Sequence, residues 1–165
     1  MRVYLPATTE LLRALVADGE LGPAPLTGFA VTPGLREWYV DDDIEELEYA
    51  ASLEAARASL RLVDADPSAA RRRVVVAADV PDTALSVRDD LDRGVVQARA
   101  AVSLADIASV HIDDADAESA VAAAAEAVVR ADLGDSTAQD LVDDVEGFEL
   151  SWYATQEIAA VLGHL

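Results

Sequence analysis

Arg73-Val74-Val75-Val76-Ala77-Ala78-Asp79 is the stretch on which the reading of the fold turns. Five apolar residues in succession, three of them β-branched and the run bounded by charge, predict a strand buried on both faces rather than one side of an open sheet. Such a strand belongs in a sheet interior, with further layers above and below it. Downstream, Val96, Ala98, Ala100, Val102 and Leu104 alternate with Gln97, Arg99, Ala101 and Ser103, which predicts a half-buried strand over 96–104. Val110 and Ile112 continue the alternation in another short strand and place His111 on its opposite, more polar side.

Upstream, Arg2 to Ala7 reads as a first strand, and Thr8 or Thr9 can cap a helix whose Leu11, Leu12, Leu15 and Val16 form one apolar face before Gly19. Leu21 to Gly28, rich in proline and glycine, reads as a connecting loop, with a short strand over Phe29–Thr32 stopped at Pro33. The longest helical pattern spans 43–63 and carries two apolar stripes. Ile44, Leu47, Ala51, Ala55, Ala58 and Leu62 form one; Tyr49, Leu53, Ala56, Leu60 and Val63 form the other. Two stripes separated by Glu46, Glu54, Arg57 and Arg61 predict a helix buried on more than one side, central to the core or at a subunit interface.

Toward the C-terminus, Asp114 or Asp116 can cap an alanine-rich helix ending near Leu133 and Gly134, and 135–147 reads as loop or short helix. Phe148, Leu150, Trp152 and Ala154 alternate like a strand, although a helix over 148–153 fits so short a run almost as well. Thr155 can cap a last helix over 156–163. The order lacks the strict alternation of a doubly wound fold. The expected architecture is α+β: one domain over residues 1–165, a sandwich of a mixed β-sheet of about five or six strands with about three or four helices.

Composition excludes much chemistry. The 165 residues contain no lysine, asparagine or cysteine, hence no Schiff-base amine, P-loop ammonium, thiolate nucleophile, disulfide or cysteine-bound metal. All 12 basic residues are arginine against 32 carboxylates, a formal net charge of -20. That field repels phosphates and anionic lipid, so neither nucleic acid nor a membrane surface is an expected partner. The bias toward alanine, arginine, valine and aspartate fits a GC-rich coding sequence, and salt adaptation would give a similar charge. Only Val3, Tyr4 and Leu5 follow Arg2 before Pro6, too short for a signal-peptide apolar region, and a cytoplasmic setting is expected.

Several groups are candidates for a site. Asp79 and Asp82 follow the apolar strand, and Asp113 and Asp114 follow the strand holding His111; strand ends lying side by side could gather these oxygens around a hard cation. Their spacing matches no metal-ligand motif, and turn and cap roles, which favour aspartate for independent reasons, explain them better, so no metal or cofactor is assigned. His111 with Asp113 resembles a base beside a carboxylate, but no serine sits in a nucleophile elbow. Arg71, Arg72 and Arg73 could grip an anion or pair internally. Asp41-Asp42-Asp43 with Glu45, Glu46 and Glu48 reads as the acid-rich start of a helix. Trp38-Tyr39 and Trp152-Tyr153 are candidate interaction surfaces if exposed and core fillers if not.

Arg2-Val3-Tyr4-Leu5-Pro6-Ala7-Thr8, Phe29-Ala30-Val31-Thr32-Pro33, Glu45-Glu46-Leu47-Glu48-Tyr49-Ala50-Ala51, Val74 to Val80, Val110-His111-Ile112-Asp113, and Trp152-Tyr153-Ala154 with Gln156-Glu157-Ile158 together resemble an uncharacterised family of small actinobacterial proteins. The resemblance spans nearly the whole chain and implies no activity or catalytic residues. With no catalytic signature, the expectation is a noncatalytic domain acting through protein–protein interaction or through self-association, the latter as a homodimer. The alternative is a metal-assisted hydrolase or small-ligand-binding protein using Asp79, Asp113 and His111.

Overall fold

The structure, a computed structural model, describes residues 1–39 and 43–165; Asp41 and Asp42 of the acidic run lie outside them. The chain begins with β1 (Arg2–Ala7) and α1 (Thr9–Asp18). Thr8 is the cap of α1, its Oγ1 accepting the Leu11 N–H, and Gly19 ends the helix at φ 76°, a conformation that glycine adopts without steric cost. There follow β2 (Glu20–Leu21), β3 (Leu26–Phe29), α2 (Pro33–Trp38), α3 (Ile44–Ala65), β4 (Val74–Asp79), β5 (Leu85–Val87), β6 (Val95–Ala98), β7 (Val102–Ser103) and β8 (Ile107–Ile112). The last elements are α4 (Glu118–Asp132), α5 (Ser136–Val145), β9 (Ser151–Tyr153) and α6 (Ile158–Leu162).

Among the described residues seven strands form one sheet in the order β5-β6-β3-β1-β4-β8-β9, and β2 pairs with β7 in a separate ribbon. Every pair is antiparallel, which corrects the mixed sheet expected from sequence. The reason is topological: α3 carries the chain from β3 to β4, two strands that run parallel to each other but are separated by β1. With six α-helices among the described residues, the elements also outnumber the expected ones.

β4 lies between β1 and β8, and Val74 to Ala78 are all buried, as their unbroken apolar run requires. Alternate residues serve opposite layers. Val74, Val76 and Ala78 join Val3, Leu5 and Ala7 against Leu12 and Leu15 of α1 and Ile158 and Leu162 of α6. Val75 and Ala77 face Ala51, Ala55 and Ala56 of α3, whose small side chains let the helix lie close to the sheet.

The two stripes of α3 have different fates along the helix. Its C-terminal half places Leu60 in a cluster with Val121, Ala124 and Val128 of α4 and Val142 and Val145 of α5. Arg61 Nε donates to Asp132 Oδ2 at 2.7 Å and Arg57 Nη2 to Asp132 Oδ1 at 3.1 Å, locking α4 onto that half. Hydrogen bonding by Arg61 is the main cause that holds the Asp132 carboxyl below the usual carboxylate range. In the N-terminal half the outer stripe stays open: Tyr49 is 57% exposed and Leu53 38%.

Departures from the expected elements have local causes. The loop expected over 21–28 contains most of β3, because the bare Cα of Gly28 lets Val3 and Leu5 close over it; a Cβ there would stand 2.8 Å from each of their side chains. The strand expected over 96–104 divides into β6 and β7, since Arg99 turns back to donate to the carbonyls of Thr83 and Leu85 and to Ser86 Oγ. Region 135–147 is helical, with Asp135 capping α5 through the Ala138 N–H. The 148–154 alternation yields only a three-residue strand, β9, at one edge of the sheet.

Candidate functional site

The carboxylates singled out at strand ends do not converge. Because β4 and β8 are antiparallel, Asp113 sits beside the start of β4 and Asp79 at its end, about 20 Å away at ordinary strand rise. Asp79 is an exposed partner of Arg2, whose Nε lies 2.8 Å from its Oδ1 and whose hydrogen bonding is the main cause lowering the Asp79 pKa. Asp82 is exposed, 3.2 Å from the Met1 amino group, and Asp114 accepts from the Ser151 hydroxyl at 2.7 Å. Asp113 is buried, accepting from Arg73 Nε and Nη2 and from the Arg73 backbone N–H, each at 2.8 Å. Among the described residues no three His, Asp or Glu side chains gather as a metal site.

The three arginines are spent on the protein's own acceptors. Arg71 donates to the carbonyls of Val63, Asp66 and Ala69, closing the C-terminal end of α3. Arg72 pairs with Glu118 and reaches the Asp113 carbonyl. Arg73, besides gripping Asp113, donates to the Phe148 carbonyl at 2.7 Å and so fixes the segment leading into β9.

The aromatic pairs form two separate surfaces. Trp38, on α2, is stacked under the Arg93 guanidinium at 3.6 Å from its ring centroid, with Tyr39 exposed beside it. Trp152 lies in β9, four strands from β3, about 19 Å at normal strand spacing. Tyr153 turns to the α1–α6 side and packs on that core, so Trp152 turns to the α3 side, where it is 61% exposed.

What the structure does bring together is a groove between the open half of α3 and the β8–β9 edge. One end is a cavity of about 260 Å³ walled by Leu53, Ala56, Val75, Phe148 and Leu150, with Glu146 and Glu149 among its lining residues. The adjoining end, about 290 Å³, has Arg2, Tyr4, Glu45, Glu48, Ser109 and Trp152 among its lining residues. Tyr49, Ser52 and His111 line both. Helical spacing explains the α3 wall: Glu45, Tyr49 and Leu53 make one i, i+4 row, and Glu48, Ser52 and Ala56 the next. Of the residues around this groove, sequence reasoning named Arg73, His111 and Trp152 as site candidates; Tyr49 and Leu53 were visible as a helix stripe.

The electrostatics of the groove are acidic with a neutral floor. The Tyr4 hydroxyl lies 3.4 Å from Glu48 Oε2; burial first, then the Glu48 charge, push its pKa up to about 12, so it remains a phenol donor. Among the described residues, none of Glu45, Glu48, Glu146 and Glu149 has an ion-pair partner, whereas Arg2 and Arg73 are neutralised by Asp79 and Asp113. His111 Nε2 is 3.1 Å from Ser109 Oγ, and burial lowers the imidazole pKa below its ordinary 6.5. The unfolded chain therefore binds this proton more readily than the folded one. Stability from this group is complete above pH 6.5 and is lost as pH falls toward the depressed folded value. Urea midpoints measured from pH 7.5 to 5 should decline for the wild type and decline less for His111→Gln; equal slopes would refute a desolvated His111.

No helix among the described residues is long and apolar enough to cross a membrane. No curated protein and no solved structure matches the chain. A family model does, over residues 1–162, nearly the whole sequence, in agreement with the extent of the resemblance read from its motifs. The chain belongs to that family, a family of unknown function (DUF6912).

Proposed function

We propose that the protein is a cytoplasmic, noncatalytic interaction domain that docks a segment of another protein in the groove between α3 and the β8–β9 edge. The observation that carries this reading is the half-covered outer stripe of α3. Its C-terminal part is buried under α4 and α5, while Tyr49 and Leu53 remain open beside an exposed Trp152. Aromatic and aliphatic side chains flanking a preformed concavity are the composition of a binding surface. Self-association is the weaker form of the reading, because two copies each carrying -20 repel one another.

The test is a photo-crosslinking amino acid placed at Leu53, with Glu126 on the exposed side of α4 as the control position. A discrete heterologous adduct from position 53, absent from position 126 and lost when Trp152→Ala is added, is the expected result. An adduct of twice the chain mass would establish self-association instead. Equal labelling from both positions would refute groove docking.

A further inference from the structure

The chemistry of the groove specifies its occupant more closely than docking alone requires. Its polar end sets the Glu45 and Glu48 carboxylates beside the rings of Tyr49 and Trp152; Arg2 also lines this end, but its guanidinium is bonded to Asp79, and neither glutamate has a salt-bridge partner among the described residues. A carboxylate pair beside aromatic faces suits a planar cation, which can fork onto oxygen and stack on a ring at once. The adjoining end offers Leu53, Phe148 and Leu150 to an aliphatic side chain. Along α3 the two ends are separated by the five residues from Glu48 to Leu53, about 7.5 Å of helix rise. An extended chain covers about 6.7 Å between side chains i and i+2, which point the same way.

Taking the groove as the docking surface, we infer that it binds an extended segment of a basic protein bearing the pattern arginine–any residue–aliphatic, with the guanidinium seated against Glu45, Glu48, Tyr49 and Trp152 and the aliphatic side chain against Leu53, Phe148 and Leu150. The excess negative charge of the whole chain favours encounter with a basic partner in the same sense. The half-buried His111 forms the floor where the two ends meet and, its pKa lowered by burial, adds no opposing charge at pH 7, while the two cations on the lining, Arg2 and Arg73, are held by Asp79 and Asp113.

The experiment is selection of displayed random decapeptides on the full-length protein at low salt, followed by titration of enriched peptides against variants. Arginine two positions before leucine, isoleucine or valine is the expected enrichment. Glu45→Gln with Glu48→Gln should weaken such peptides about tenfold, and arginine-to-lysine exchange in the peptide about threefold or more. Raising the salt toward 0.5 M should weaken binding further. Peptides that lose binding to Leu53→Glu and Trp152→Ala yet carry no basic residue would overturn the arginine assignment and leave the groove standing. Failure to enrich any peptide, or enrichment of peptides indifferent to both variants, would overturn the groove reading with it. Circular dichroism of each variant separates loss of binding from loss of fold.

Discussion

Asp113→Ala is expected to destabilise the protein by about 3–5 kcal/mol, the cost of leaving a buried cation without its counter-charge. The side chains of Arg73 and Asp113 are 3% and 0% exposed, so the guanidinium meets little water that could take the place of the lost carboxylate. Three donors lose their acceptor together: the guanidinium Nε and Nη2 and the Arg73 backbone N–H, which precedes the first residue of β4. The remaining guanidinium bond, to the Phe148 carbonyl, would then hold an uncompensated charge against the groove wall. Urea denaturation should show a lower midpoint with an unchanged slope. Replacing both partners, Arg73→Met with Asp113→Leu, should cost less than the single change, since no orphaned charge remains. A loss under about 1 kcal/mol for Asp113→Ala would mean that Arg73 finds another acceptor or water, contrary to the sealed pair observed.

That pair shows how far the sequence could be read and where reading stopped. The apolar run at 74–78 announced a strand covered on both sides, and its position between β1 and β8 agrees. The doubly striped 43–63 helix announced a second packing surface, and Leu60 beneath α4 provides it. Both signals are periodicities, which one chain displays by itself. Asp113 and Arg73 also stood out as individual residues. Whether Asp113 would meet Asp79 or Arg73, however, depends on the direction in which β8 runs beside β4, and strand direction is decided by the whole topology. Side by side in parallel strands, Asp79 and Asp113 would have shared a site; antiparallel pairing sends them to opposite ends. The groove escaped the sequence for a similar reason, since Glu48 and Trp152 are more than a hundred residues apart and meet only through tertiary packing.

Ser59→Ala should produce the second large loss, about 2–4 kcal/mol, although it removes a single oxygen atom. Ser59 is wholly buried on α3, and its hydroxyl donates to the Ala7 carbonyl at 2.8 Å while accepting the Val74 N–H at 3.0 Å. Ala7 and Val74 are paired residues at the last rung of the β1–β4 ladder, so one hydroxyl satisfies a main-chain acceptor and a main-chain donor where the sheet ends. Alanine leaves both groups buried and unpaired, each costing about 1–3 kcal/mol. Amide hydrogen exchange at Val74 should accelerate in step with the fall in the urea midpoint. A cost near zero with unchanged protection at Val74 would refute the bridge. The same corner is fixed by Thr9 Oγ1 accepting the Ala70 N–H and by Arg71 closing the end of α3. Ser59 is thus the only one of these three side chains that joins α3 directly to two strands, and its removal frees the helix that forms one wall of the groove.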